Sequence, residues 1–155
     1  MLHTSNLDIA LSFAERGFVV FPCDHYANPK RPKLKWTQEA TSNPEMIRRM
    51  WKKWPNALVA LPTGKINGII VLDIDRKNGV DGFVSLREIG FDYGSYEGFK
   101  VRTPSGGVHL YFSYREHVRN SVNWHAPGLD VRSDGGYVIA GGSIPDLGAY
   151  EVCHV

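Results

Sequence analysis

Residues 69–79 read IIVLDIDRKNG, and the fold turns on how this run is read. Ile69 to Leu72 has the apolar, β-branched character of a buried strand, and then Asp73 and Asp75 stand one residue apart. Side chains alternate along an extended chain, so the two aspartates share one face with α-carbons about 6.5–7 Å apart. Ile70, Leu72 and Ile74 take the other face, toward a core. Two like charges at the end of an apolar strand repel each other, which leaves two readings. Either water solvates the pair at the strand end, or a divalent cation compensates both carboxylates more fully than one lysine would.

Upstream, SNLDIALSFAERG (5–17) reads as a helix: Leu7, Ala10, Leu11 and Ala14 form a stripe, Ser5 or Asn6 caps it and Gly17 ends it. FVVF (18–21) reads as a buried strand stopped by Pro22. The polar, basic, proline-bearing stretch from Asp24 to Thr41 reads as a long surface loop anchored by Trp36. In NPEMIRRMWKKW (43–54), Asn43 is the N-cap, Pro44 opens the helix, and Ile47, Met50, Trp51 and Trp54 make its core stripe. Arg48, Arg49, Lys52 and Lys53 fall on the opposite face. ALVALP and GIIVLDID follow as strands joined by TGKING.

Downstream, a short helix is expected around Phe83 to Ile89, followed by the strands FKVRT, VHLYF, LDVR, GYVIA and AYEVC. Asp134-Gly135 predicts a tight hairpin between LDVR and GYVIA. Helices and strands early with hairpins late predict an α+β fold around a mixed sheet. The length of 155 residues, 43% apolar, predicts one domain over 1–155.

Two further stretches carry chemistry. In TPSGGVHLYF (103–112), Pro104, Gly106 and Gly107 make a sharp turn whose backbone N–H groups suit a phosphate, and Ser105 adds a hydroxyl. His109 then alternates outward with Tyr111. In GLDVRSDGGYVIAGGS (128–143), Asp130 and Arg132 share one strand face and supply a third carboxylate and a guanidinium able to grip phosphate bidentately. Each has a plain structural reading too, as a turn, a packed histidine or a surface ion pair.

Other motifs fail on their own requirements. LPTGKI lacks the upstream glycine and the Ser/Thr after Lys65 that a P-loop needs. DIDRKNGVDG has Lys77 and Asn78 where an EF-hand needs an acceptor and a glycine. Arg76 and Lys77 stand where a D-x-D-G-T phosphatase has Gly and Thr. A net charge of +2 does not announce a nucleic-acid partner, although basic residues gather in KRPKLK (30–35) and RRMWKK (48–53). The two cysteines, Cys23 and Cys153, read as reduced thiols, with a zinc site completed by His25 and His154 as a minor alternative. No apolar run reaches membrane-spanning length and no secretory signal pattern opens the chain, so a cytoplasmic location is expected.

Taken in order, these pieces resemble the N-terminal domain family of bifunctional DNA primase-polymerases, in the archaeo-eukaryotic primase superfamily. The matching residues are ERGFVVFP (15–22), KRP (30–32), TG (63–64), VLDID (71–75), TPSGGVHLYF (103–112), GLDVR (128–132), GGYVIA (135–140) and Ser143 before GAYE. The resemblance implies an RNA-recognition-motif-like catalytic core with an N-terminal α/β lobe. It implies template-directed nucleotidyl transfer by a two-metal mechanism, with Asp73, Asp75 and Asp130 holding two Mg²⁺ or Mn²⁺ ions. It also implies that His109 and the Ser105-Gly106-Gly107 turn hold the incoming dNTP or NTP, with Arg132 nearby.

A single-stranded or primed DNA template is the implied partner, with the basic loop and helix face as candidate phosphate tracks. Replication of a plasmid, phage or mobile element is the implied setting, and a helicase domain in a longer chain is a further expectation. Gly141 and Gly142 replace two prolines common in the family, which predicts a looser loop into Ser143. The competing readings are a noncatalytic module that binds single-stranded nucleic acid or nucleotide, and a metal phosphohydrolase.

Overall fold

The computed structural model describes residues 4–24 and 30–153. Its helices are α1 (Asn6–Glu15), α2 (Trp36–Glu39), α3 (Pro44–Lys53) and α4 (Gly82–Glu88). The strands are β1 (Phe21–Cys23), β2 (Leu58–Pro62), β3 (Ile69–Ile74), β4 (Arg76–Lys77), β5 (Val80–Asp81), β6 (Lys100–Arg102), β7 (Val108–Ser113), β8 (Leu129–Arg132), β9 (Tyr137–Ile144) and β10 (Gly148–Cys153). The chain divides into two units, residues 1–62 with 137–150 and residues 63–136 with 151–155. Strand β10 gives its first half to one and its second half to the other.

In the first unit, Ser5 and Asp8 close α1 with a reciprocal capping box, the Ser5 hydroxyl accepting from the Asp8 N–H at 3.1 Å. The buried stripe is turned from the expected one: Asn6, Ala10 and Phe13 are buried, whereas Leu7, Leu11 and Ala14 are half-buried. Asn6 accounts for the turn. Its Nδ2 donates to the Ala57 carbonyl at 3.0 Å and its Oδ1 accepts from the Ser143 N–H at 2.9 Å, so a buried amide is satisfied on both sides. Asn43 caps α3 by accepting from the Glu45 and Met46 N–H groups, and Ile47, Met50 and Trp51 are buried while Arg48, Arg49, Lys52 and Lys53 are exposed.

The strands of this unit run in the order β1, β2, β9, β10, all antiparallel. Pro22 lies inside β1 rather than stopping a strand before it. β1 is an edge, where a residue without an N–H is tolerated. Trp36 anchors its segment as expected, stacking on Phe21 at 5.4 Å and meeting Tyr137 edge-on at 5.5 Å, though that segment also contains α2 and is not wholly loop. Gly141 and Gly142 form no loose loop. Both lie within β9, where a Cβ on Gly141 would strike Ile9 of α1 and one on Gly142, at φ 117°, would come within 2.8 Å of Leu58. The two glycines let helix and strand approach.

In the second unit the order is β10, β6, β7, β3, β8, again wholly antiparallel, where a mixed sheet was expected. Ile70, Leu72 and Ile74 of β3 pack with Val108 and Leu110 of β7, Leu129 and Val131 of β8, and Leu86 of α4. Burying each such side chain contributes roughly 1.5–3 kcal/mol, so this face fixes which residues point the other way. The Asp134-Gly135 turn forms, with the Gly136 N–H donating to Ser133 O at 3.0 Å, but it does not make a hairpin: β8 pairs with β3, and β9 pairs with β2 and β10. Instead, the Asp134 carboxylate accepts from the Lys65 N–H and the Tyr114 hydroxyl.

Cys23 and Cys153 are free thiols; His25 and His154, the other members of the zinc arrangement weighed from sequence, lie outside the described residues. No helix among the described residues is long and apolar enough to cross a membrane.

Candidate functional site

Strand β3 sits between β7 and β8, and the register puts Asp73 directly opposite His109 on one side and Asp130 on the other. Residues paired across antiparallel strands share a face, so His109, Asp73 and Asp130 form a row across three strands. Val71, paired with Tyr111 and Arg132, forms the next row. Asp75 follows the end of β3 on the same face. Its main chain is held on both sides: its N–H donates to Gly128 O at 2.9 Å and its carbonyl accepts from the Gly82 N–H at 2.7 Å.

Asp73, Asp75 and Asp130 converge, each offering a carboxylate oxygen within 4.8 Å of the others. Their side chains are only 18%, 20% and 15% exposed. His109 Nε2 lies 3.3 Å from Asp73 Oδ1, close but without hydrogen-bond alignment, so Asp73 Oδ1 is a buried oxygen with no hydrogen-bond partner among the described residues. Asp130 is oriented by the Asn123 N–H, which donates to its Oδ1 at 2.9 Å, and by Arg132, whose Nη2 is 3.6 Å from its Oδ2.

Asp73 and Asp75 are shifted in opposite directions. Burial pushes Asp73 upward, but His109, Arg132 and Lys77 together more than reverse this and hold it below the usual carboxylate range. Asp75 is raised, first by burial and then by the negative charge of Asp73, with Asp130 adding to it and Lys77, 3.8 Å away, opposing it. A crowded set of hard oxygen donors, one of them a buried oxygen whose near neighbour is His109 at 3.3 Å and which accepts no aligned hydrogen bond, suits a hard divalent cation. The same set without one carries like-charge repulsion.

The glycine turn lies at the same end of β3. Thr103 to Gly107 closes the β6–β7 hairpin, with the Thr103 N–H donating to Gly107 O at 2.9 Å and the Gly106 N–H to Thr103 O at 3.1 Å. This is a three-residue loop with its last member, Gly106, left-handed at φ 88°. Gly107 serves a different need: a Cβ there would strike the carbonyl oxygen of Ile74. Ser105 is exposed, and its Oγ lies 3.2 Å from Thr103 Oγ1.

The residues read from sequence as the metal and nucleotide site, Asp73, Asp75, Ser105, Gly106, Gly107, His109, Asp130 and Arg132, all fall in the second unit, whereas the basic stretches 30–35 and 48–53 fall in the first. His109 and Tyr111 share the carboxylate face but are buried, 6% and 8% exposed, where an outward orientation was expected. Sequence reasoning passed over Lys77 and Asn123. The Asn78-Gly79 pair, at φ 53° and 77°, turns β4 back onto β5, and this hairpin signal was available. Nothing local marked Asn123 as a partner for Asp130.

The model of the family described as bifunctional DNA primase/polymerase, N-terminal, matches residues 10–155. No curated protein matches the chain.

Proposed function

The chain belongs to the bifunctional DNA primase/polymerase N-terminal family, and from that premise we propose that it performs template-directed nucleotidyl transfer, as a primase, a polymerase or both. The observation that carries this reading is the convergence of Asp73, Asp75 and Asp130 within 4.8 Å on a face whose register is fixed by three strands. Asp73, Asp75 and Asp130 would hold Mg²⁺ or Mn²⁺. Bound as a pair, such ions would supply activation of an attacking 3′-hydroxyl and neutralisation of a leaving pyrophosphate.

The chain's own residues supply positioning. Arg132, 35% exposed beside Asp130, reaches solvent and offers a forked donor to phosphate oxygens. The Ser105-Gly106-Gly107 turn, pinned against Ile74, presents the Ser105 hydroxyl and backbone beside the Asp75 end of β3. In this reading His109, buried next to Asp73, donates to a triphosphate oxygen. This division of labour, with anionic and cationic groups at neighbouring rows of one sheet, is what phosphoryl chemistry by positioning and charge neutralisation requires.

Primer extension with a primed template, nucleotides and Mn²⁺ or Mg²⁺ tests the reading. The wild type incorporates nucleotides, and Asp73→Ala with Asp75→Ala lowers the rate by two to three orders of magnitude or more, about the loss expected when principal transition-state charge stabilisation is removed. Robust extension by the double variant would refute the assignment. Metal-independent binding with no incorporation on any template would favour a noncatalytic module, and template-free phosphate release would favour a phosphohydrolase.

A further inference from the structure

The opposite face of β3, β7 and β8 holds a second feature. Ile70 and Leu72 of β3 and Val131 of β8, which alternate with Val71, Asp73, Asp130 and Arg132, floor a groove of about 1030 Å³. It therefore opens on the side of the sheet turned away from the carboxylates. Two rings are exposed at its margin, Phe112 (38%) and Trp124 (37%). Each ring has an aromatic neighbour: Phe112 packs edge-on against Tyr96 at 5.5 Å and Trp124 edge-on against His125 at 4.5 Å, while the backbone N–H of Trp124 donates to Leu129 O at 2.6 Å.

The rim is cationic. Arg115, His117 and Arg119 recur at every second residue, and all three line the groove and are exposed. The intervening Glu116 does not line it, and no Asp or Glu does among the described residues. Neither arginine has an ion-pair partner among the described residues. Arg119 also borders a smaller depression containing Glu116 and Asp134, but Asp134 is already engaged by Tyr114 and Lys65.

We propose that this groove binds single-stranded nucleic acid, with bases against Phe112 and Trp124 and phosphates against Arg115 and Arg119. An apolar floor, accessible aromatic faces and a rim of unpaired cations are complementary to a polyanion whose bases are unstacked. A duplex hides those base faces, and a purely apolar partner leaves the arginines without a counter-charge. The site is separate from the carboxylates, so it stands or falls independently of nucleotidyl transfer.

The test is fluorescence anisotropy of a fluorescein-labelled thymidylate oligomer of about 15 nucleotides, titrated with the full chain in EDTA across a salt series. Arg115→Glu with Arg119→Glu, whose side chains are exposed, weakens binding about tenfold or more and lowers the salt slope by about 1.4, the loss of two single-strand phosphate contacts. Trp124→Ala weakens it about tenfold, the scale of one lost stacking contact. Ser12→Ala, on the exposed side of α1, leaves it intact. Circular dichroism verifies that each variant folds. Unchanged affinity and slope in the arginine variant would overturn the proposal, as would complete displacement of the oligomer by stoichiometric thymidine monophosphate, which would mark a mononucleotide pocket.

Discussion

Gly107 and Gly106 are neighbours with different obligations. Gly106 needs a left-handed backbone, whereas Gly107 needs the absence of a side chain against the Ile74 carbonyl. Gly106→Ala should therefore cost about 1 kcal/mol, and Gly107→Ala more, about 2–4 kcal/mol, because the obstructing atom is backbone and cannot rotate away. Urea unfolding of the two variants measures both, and an equal cost would contradict the contact. Cys23 makes a prediction about pH. Burial raises its thiol from about 9 to about 12, with Lys30 and Lys33 partly opposing. Between those values the unfolded chain has released a proton that the folded chain retains, so stability falls as pH rises. Cys23's contribution is complete below about pH 9 and disappears through about 12. The difference in urea midpoint between wild type and Cys23→Ala should shift against the wild type over that alkaline range, and a pH-independent difference would show that the thiol is not so held.

At the scale of elements, α1 depends on one polar residue. Asn6→Ala removes a donor to Ala57 and an acceptor from Ser143, leaving buried main-chain groups without partners, at a cost of about 1–3 kcal/mol. Thermal unfolding should show it, whereas Ser12→Ala on the exposed side should be near neutral. The strands β3, β7 and β8 were legible from alternation, and so was the face carrying Asp73, His109 and Asp130, because a period of two is a local property. Their order in the sheet was not. Asp-Gly specifies a bend at 134–135 but not which strand the departing chain will join, and β9 left for other partners. The stripe on α1 was misjudged for a related reason: hydropathy ranks Leu7 and Leu11 above Asn6, while the acceptors that make Asn6 favourable inside come from residues 57 and 143. The glycines at 141 and 142 looked like slack and proved to be clearance for Ile9 and Leu58.

Across the whole molecule, the metal-ligating candidates and the aromatic groove belong to the same unit, yet that unit is not one continuous stretch of chain. Residues 63–136 carry Asp73, Asp75, His109, Asp130 and Arg132, but the partner of β6 is the second half of β10, with Glu151 opposite Arg102 and Cys153 opposite Lys100. A fragment of 63–136 leaves the outer edge of β6 unpaired and should self-associate. Replacing 137–150 by a flexible Gly/Ser linker that retains 151–155 should reduce this, as light scattering would show. Equal self-association would mean that the short β10 pairing does not protect the edge. The interleaving also bears on descent. The chain crosses between units after residues 62, 136 and 150, so a single recombination crossover that transplants the carboxylate-bearing unit with its sheet edge paired must carry residues 137–150 of the first unit with it.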